Sequence, residues 1–277
     1  MATTEKDLTQ EVIKSFENCS NPRLKIIMQS AVKHLHAFAS EVRLTEEEWF
    51  YLIDFLTRTG QKCDDVRQEF ILLSDTMGFT SLVDLINHSK DDERATEPTI
   101  LGPFHVKNSK MLNKGDSIVS RLLAEGEPTL VKGRVLDVNG NPIKGALIDV
   151  WQTDANGLYD IQDSGEIAGN LRGRFISDED GSYEFRTIRP VPYPIPNDGP
   201  VGNMLRAVGR HEWRAAHIHA IVSANNYRSV TTHIFDRNSK YLDSDTVFGV
   251  KGSLIKDFVS QPDGTLLLEH NFVLVAE

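Results

Sequence analysis

The residues best suited to chemistry lie in Arg214-Ala-Ala-His217-Ile-His219, at the head of an apolar, β-prone run. On a strand successive side chains alternate between faces, so His217 and His219 project from one side. Two imidazoles side by side are a common beginning of a transition-metal site. Spacing alone does not decide it. His34-Leu-His36 repeats the pattern on a segment of helical periodicity, where residues two apart point about 200° away from each other. That pair is rejected as a chelate. His88, His105, His211 and His270 have no partner at ligand spacing and read as surface or hydrogen-bonded residues. Two tyrosines stand in settings that fix an angle. Tyr193 sits in Arg189-Pro-Val-Pro-Tyr-Pro-Ile-Pro196, where alternating prolines hold the backbone extended and stiff. Tyr159 ends Trp151-Gln-Thr-Asp-Ala-Asn-Gly-Leu-Tyr159, where a strand gives way to a glycine-containing turn.

The elements that must position these residues fall into two regions, an α+β organisation. From about residue 5 to 88 the apolar spacing is helical. Leu24, Ile27, Met28, Ala31, Leu35 and Phe38 mark one stripe between Pro22 and Val42. Thr45 and Glu48 form a capping box that opens a second helix through Trp49, Leu52, Phe55 and Leu56, with Gly60 as its expected stop. A third helix runs through Val66, Phe70, Leu72 and Leu73 to Gly78, and a shorter one spans Leu82 to Ile86. From about residue 129 the pattern becomes β: Leu130–Val138 and Ala146–Thr153 joined by the turn Asn139-Gly-Asn-Pro142, then Ser182–Thr187, Ala216–Ala224, Ser229–Phe235 and Thr265–Val275. Strands at this spacing without intervening helices predict an antiparallel sandwich or barrel. The expected domains are a helical one over 1–95 and a catalytic β-sandwich over 96–277.

A formal net charge of −10 and the lack of a dense Lys/Arg run exclude a polyanionic partner such as nucleic acid. No window has the roughly 18 consecutive apolar residues of a membrane span. The N-terminus lacks the basic stretch and apolar run of a signal peptide, so the expected location is the cytoplasm. Two cysteines, Cys19 and Cys63, fall in segments read as helical and are taken as small buried residues of a reducing compartment.

Four pieces together carry a family resemblance. Thr99-Ile-Leu-Gly-Pro-Phe104, Asp149 to Tyr159, Arg189 to Gly202 and Arg214 to His219 resemble, in order and spacing, the intradiol ring-cleaving dioxygenases. The similarity spans most of the chain, the helical part included. It implies one ferric ion per subunit, held by Tyr159, Tyr193, His217 and His219, with a small aromatic diol or triol and O2 as substrates. Phenolate is a hard anionic donor that suits ferric iron, and a nearby trivalent cation lowers the tyrosine pKa far below its usual value of about 10. Iron, two tyrosinates and one hydroxide sum to zero charge, which a buried site tolerates. The exchangeable ligand implied by the family is Tyr193, which leaves with the hydroxide when the diol chelates, the two taking the diol's protons. Ring opening between the hydroxyl-bearing carbons then gives a muconate-type diacid, the metal acting as Lewis acid and template. Arg214 matches a family arginine that stabilises developing negative charge; because strand parity points it away from His217, it must precede the strand or sit on a bend. His233 stands where several relatives carry glutamine and is read as a donor that orients bound oxygen or substrate, not a ligand.

Carried over by position, the pocket is lined by Leu72, Asp75, Ile100, Gly102, Pro103, Phe104, Ile195, Pro196 and Val247. Asp75 is the discriminating residue, since a carboxylate accepts a hydrogen bond from a third ring hydroxyl. Its surroundings, Glu69-Phe-Ile-Leu-Leu-Ser-Asp-Thr-Met-Gly78, resemble hydroxyquinol 1,2-dioxygenases. That implies hydroxyquinol (benzene-1,2,4-triol) as substrate and 3-hydroxymuconate, the enol form of maleylacetate, as product, with catechol or a chlorocatechol as the alternative. The resemblance also implies a homodimer through the N-terminal helices and, in some members, a phospholipid between them. Two other classes stay open: a metal-free transthyretin-like binding module, and a zinc hydrolase on His217 and His219, although zinc ordinarily needs a third histidine or a carboxylate.

Overall fold

The computed structural model describes residues 4–65, 67–88, 92–120, 126–162, 165 and 167–277, so the expectation for Val66 lies outside the described residues. The chain forms two compact units that divide after Arg58. The first holds α1 (Glu5–Lys14), α2 (Pro22–Val42) and most of α3 (Glu46–Gln61). Each start is chemically marked. Thr4 and Asn21 cap α1 and α2 by accepting from Asp7 N and Leu24 N, and Pro22 fills the first helical turn of α2. Thr45 and Glu48 make the reciprocal bonds of the capping box ahead of α3. Gly60 does not stop α3, which runs on to Gln61; a glycine inside a helix costs only about 1 kcal/mol and packing overrides it. Cys19 and Cys63 lie just beyond helix ends as half-buried free thiols, where a helical, fully buried position was expected.

The second unit begins with α4 (Glu69–Thr76) and α5 (Phe79–His88), separated at Gly78, whose φ of +71° breaks the helix. Two five-stranded sheets then face each other. One contains β1 (Pro128–Asp137), β4 (Ser182–Ile188), β10 (Val259–Ser260), β11 (Leu266–Glu269) and β12 (Phe272–Leu274). The other runs in the order β3 (Arg172–Ile176), β2 (Leu147–Trp151), β7 (His217–Ala224), β8 (Tyr227–Asp236), β9 (Ile255–Lys256). A short ribbon pairs β5 (Tyr193–Pro194) with β6 (Trp213–Arg214), and α6 (Pro200–Ala207) lies between them in sequence. Alternate residues of the two sheets form one core that includes Val131, Val135, Phe185 and Leu268 on one side and Ile148, Phe175, Ile218, Ala220 and Ile234 on the other.

The sandwich is not wholly antiparallel. β1 pairs antiparallel with β4 on one edge, but parallel with β11 and then β12 on the other; β8 and β9 are also parallel. Strand direction follows from the long return of the chain, which local periodicity cannot register. The expected strand Thr265–Val275 is therefore two strands, broken at His270-Asn271. A side chain at Gly133 would meet the His270 carbonyl oxygen at 1.7 Å, so the backbones pass here at a distance only glycine allows. The turn at Asn139–Pro142 forms through Asp137, but it sends the chain from one sheet to the other instead of making a hairpin. Among the described residues, no helix is long and apolar enough to cross a membrane.

Candidate metal centre and substrate pocket

The donor wall follows from strand parity. Ile218, Ala220 and Val222 of β7 point into the sandwich core, so His217 and His219 point from the opposite face. That face is covered. Trp151 of β2, in register with His219, stacks on its ring at 4.6 Å, and the loop residue Gly102 sits where a side chain would be 3.4 Å from His219 Cε1. Arg214 lies on β6, before β7 begins and separated from it by Ala215-Ala216, which resolves the parity conflict. Its cross-strand partner is Tyr193.

Tyr159 reaches the same point through a tight turn. Asp154 holds it, accepting from Asn156 N and Leu158 N, while Gly157 adopts φ +82°. A side chain at Gly157 would lie 2.9 Å from Tyr193 Cβ, so glycine lets the two tyrosine segments meet. Phe104 stacks on Tyr159 at 4.6 Å, and Arg172, paired with Asp160 and bonded to Phe104 O, lies 5.8 Å from the Tyr159 ring centre.

The four side-chain donors converge. Tyr193 Oη is 3.1 Å from Tyr159 Oη, which is 3.0 Å from His219 Nε2, which is 3.1 Å from His217 Nε2. All four residues are at most 4% exposed. Atoms bound at right angles to one first-row ion at about 2.0–2.1 Å stand about 2.9 Å apart, so the spacing fits a single ion. The tautomers fit as well. His217 Nδ1 donates to Ala215 O at 2.6 Å, which leaves Nε2 with its lone pair inward. His219 Nδ1 faces His233 Nε2 at 2.8 Å, so a donating His219 Nδ1 likewise frees its Nε2. His217, His219 and His233 bring nitrogens within 4.8 Å of one another, but the His233 contact is made to the far side of the His219 ring. Burial holds all three imidazoles well below their ordinary pKa, so they are neutral. Burial, with Tyr193 beside it, pushes the Tyr159 phenol well above its ordinary value, against the pull of Arg214 and Arg172. A cation of high charge reverses that order. Two phenols and two neutral imidazoles thus make a set suited to a hard trivalent ion.

Part of the expected pocket lies together, and Phe104, which stacks on Tyr159, links it to this cluster. Leu72, Ile100, Ile195 and Val247 belong to one buried apolar group with Val201 and Leu205. Leu72, Pro103, Phe104, Ile195 and Pro196 line a cavity of about 470 Å³. Asp75, one turn along α4 from Leu72, is 3% exposed, and its Oδ1 has no hydrogen-bond partner among the described residues. Burial raises its carboxyl above the ordinary range, opposed by Thr80 and Arg214. An unpaired buried carboxylate oxygen is costly unless a ligand completes it.

Residues 100–276 match the family described as "Dioxygenase", and residues 21–95 match "Catechol dioxygenase N terminus". The chain belongs to the intradiol dioxygenases. This dioxygenase is 52% identical to 6-chlorohydroxyquinol 1,2-dioxygenase of Cupriavidus pinatubonensis, over 97% of this chain and 96% of that protein. It is 48% identical to hydroxyquinol 1,2-dioxygenase of a Rhizobium species, over 97% and 90%. The solved hydroxyquinol 1,2-dioxygenase from Pseudomonas putida DLL-E4 superposes with a TM-score of 0.92 at 50% identity, covering 99% of both chains.

Several residues of the dioxygenase site escaped sequence reasoning. Asp245 pairs with Arg214, and Asp160 pairs with Arg172, each across a separation without local pattern. His270, expected at the surface or hydrogen-bonded, is 7% exposed, and its Nε2 has no partner among the described residues. His105 does bond, to Asp149 at 3.1 Å.

Proposed function

We propose that this dioxygenase binds one ferric ion through Tyr159, Tyr193, His217 and His219 and opens hydroxyquinol between its two adjacent hydroxyl-bearing carbons, adding both atoms of O2 to give 3-hydroxymuconate. The carrying observation is the run of four buried donors at 3.0–3.1 Å, next to a cavity lined by Phe104 and Leu72, with the buried Asp75, whose Oδ1 has no partner among the described residues, one turn along α4 from Leu72. A donor set with two phenols disfavours the zinc-hydrolase reading, and a metal-free binding module has no need of it. When bound, ferric iron supplies Lewis-acid activation and a template for the diol.

The protein's own groups carry the remaining work. Tyr193 Oη receives a proton from the entering diol, as the ligand that the family resemblance makes exchangeable. Arg214 Nη1, buried and 3.4 Å from that oxygen, stabilises the negative charge that develops beside it on the substrate and keeps its own proton. Leu72, Ile100, Ile195 and Val247 grip the ring and exclude water, Pro103, Phe104 and Pro196 close its edge, and Gly102 leaves room beside His219. Asp75 Oδ1 accepts the third hydroxyl, which selects a triol over catechol.

The helical region over 1–95 joins two copies into a dimer in this reading, in support of which Leu24, Ile27, Leu35 and Phe38 of α2 lie uncovered in the single chain. The same apolar surface suits a phospholipid acyl chain between the copies. A cytoplasmic location fits the two free thiols. The deciding experiment is a visible spectrum of iron-loaded protein, followed by hydroxyquinol, 6-chlorohydroxyquinol or catechol under nitrogen. Tyrosinate on ferric iron gives a broad visible band, and the bound diol changes it. Iron-loaded protein without colour rules out Tyr159 and Tyr193 as ligands.

A further inference from the structure

Arg214 has three polar edges, and only one faces the reacting groups. Nε lies 3.2 Å from Asp245 Oδ1 and Nη2 lies 3.4 Å from Asp245 Oδ2, a side-on fork. Nη1 is left to face Tyr193 Oη at 3.4 Å and His217 Nε2 at 3.2 Å. The carboxylate is itself fixed. Oδ1 also accepts from Ala215 N at 3.3 Å and Oδ2 from Gly249 N at 2.9 Å, so each oxygen serves two donors. Asp245 and Arg214 side chains are only 2% and 3% exposed, so the pair has no water to loosen it.

We propose that Asp245 is a positioning residue that aims Arg214 at Tyr193, and that the loop Asp245–Gly249 ties this aim to the substrate wall. The same loop carries Val247 in the pocket cluster. Its backbone is anchored from several sides: Thr246 O accepts from Arg210, Thr246 N donates to Trp213 O, and Val247 O accepts from Ser81. Arg210 also bonds Thr76 O at the end of α4, next to Asp75. Gly249 sits close to the pair: a methyl there would stand 3.0 Å from Arg214 Nη2 and press on it. The charge on Asp245 offsets the burial of the guanidinium, and its geometry decides which N–H points inward.

The inference rests on the reading of Arg214 above, and a mutant cycle separates the two. Asp245→Asn keeps the shape but turns one twice-bonded oxygen into an N–H2 facing two other donors. It is expected to lower kcat about 10-fold with little change in KM, while Arg214→Ala lowers kcat about 100-fold. In the Arg214→Ala background Asp245→Asn should then cost nothing further, and both single variants should shift the visible band of the iron-loaded protein in the same direction, with the double variant adding no further shift. An equal loss from Asp245→Asn in both backgrounds overturns the proposal, as does full kcat in Asp245→Asn alone. Full kcat in Arg214→Ala removes the role of Arg214 and the Asp245 proposal with it, but leaves the iron and substrate reading intact. Where Asp245→Asn does not fold, Gly249→Ala, which presses on Arg214 without removing charge, is run through the same cycle and judged by the same outcomes.

Discussion

Two histidine pairs with identical spacing occupy opposite circumstances in this molecule. On α2, His34 is exposed and His36 Nδ1 meets the Thr9 hydroxyl of α1 at 2.9 Å. On β7, His217 and His219 are buried with their Nε2 atoms 3.1 Å apart. The helix advances 100° per residue and separates the rings, whereas the strand's two-residue repeat stacks them on one face. Convergence then needs walls: Trp151 behind, Gly102 above and His233 on the outer nitrogen of His219. A dipeptide spacing is therefore only as informative as the element that carries it.

The largest effect should come from the strand pair. His217→Ala or His219→Ala removes one of four donors and opens a cavity beside the others; iron content measured on purified protein should fall below one per chain, and ring cleavage should drop at least ~1000-fold. Retained iron and turnover in either variant would dissolve the contrast between the two pairs. Support from behind the ligand should be smaller. His233→Ala leaves His219 Nδ1 without its partner and is expected to weaken iron binding about 10–100-fold in a competition titration with a chelator.

In the proposed reading selectivity comes from Asp75 on α4, and the effect of changing it should be smaller again. Asp75→Leu removes the unpaired oxygen and should narrow the preference for hydroxyquinol over catechol about 10-fold in kcat/KM, the lower end for a hydrogen bond to a charged group. An unchanged ratio means that the third hydroxyl is recognised elsewhere. The contrast between walls also explains what the sequence disclosed. Strand alternation around His217 and proline stiffening around Tyr193 are local, so both were legible, as was the capping box of Thr45 and Glu48. Asp245 reaches Arg214 across 31 residues and β11 finds β1 from the far end of the chain; neither leaves a periodic trace. That Arg214 precedes the strand of His217 was legible from parity, but the Asp245 pairing that holds it was not.

His270 offers a histidine of a third kind, buried without any role at the centre. Burial, with Lys256 adding to it, lowers its pKa to about 3, while in the unfolded chain it titrates near the ordinary 6.5. Between those values the unfolded state binds the extra proton, so stability is whole above about pH 6.5 and falls as pH drops toward 3, by about 1.4 kcal/mol per pH unit at most. His270→Leu should flatten the acid limb of a denaturation series by that one proton. An acid limb of unchanged slope would mean that His270 is protonated with equal ease in both states.

The smallest expected effect gives the comparison its sharpest test. His34→Ala with His36→Ala removes two imidazoles spaced as in His217 and His219, and with them the hydrogen bond between His36 and Thr9 of α1. A hydrogen bond at a half-exposed position contributes about 1 kcal/mol or less, so a small fall in thermal midpoint is expected. Iron content, the visible band and kcat should match the parent protein. The double substitution also controls for the strand variants, since it removes the same atoms from the same spacing. A fall in iron content here would show that helical histidines recruit metal, and element geometry would lose its power to separate the two pairs. Unchanged iron, beside its loss in His217→Ala, would assign the difference to the face on which a strand holds its alternate residues.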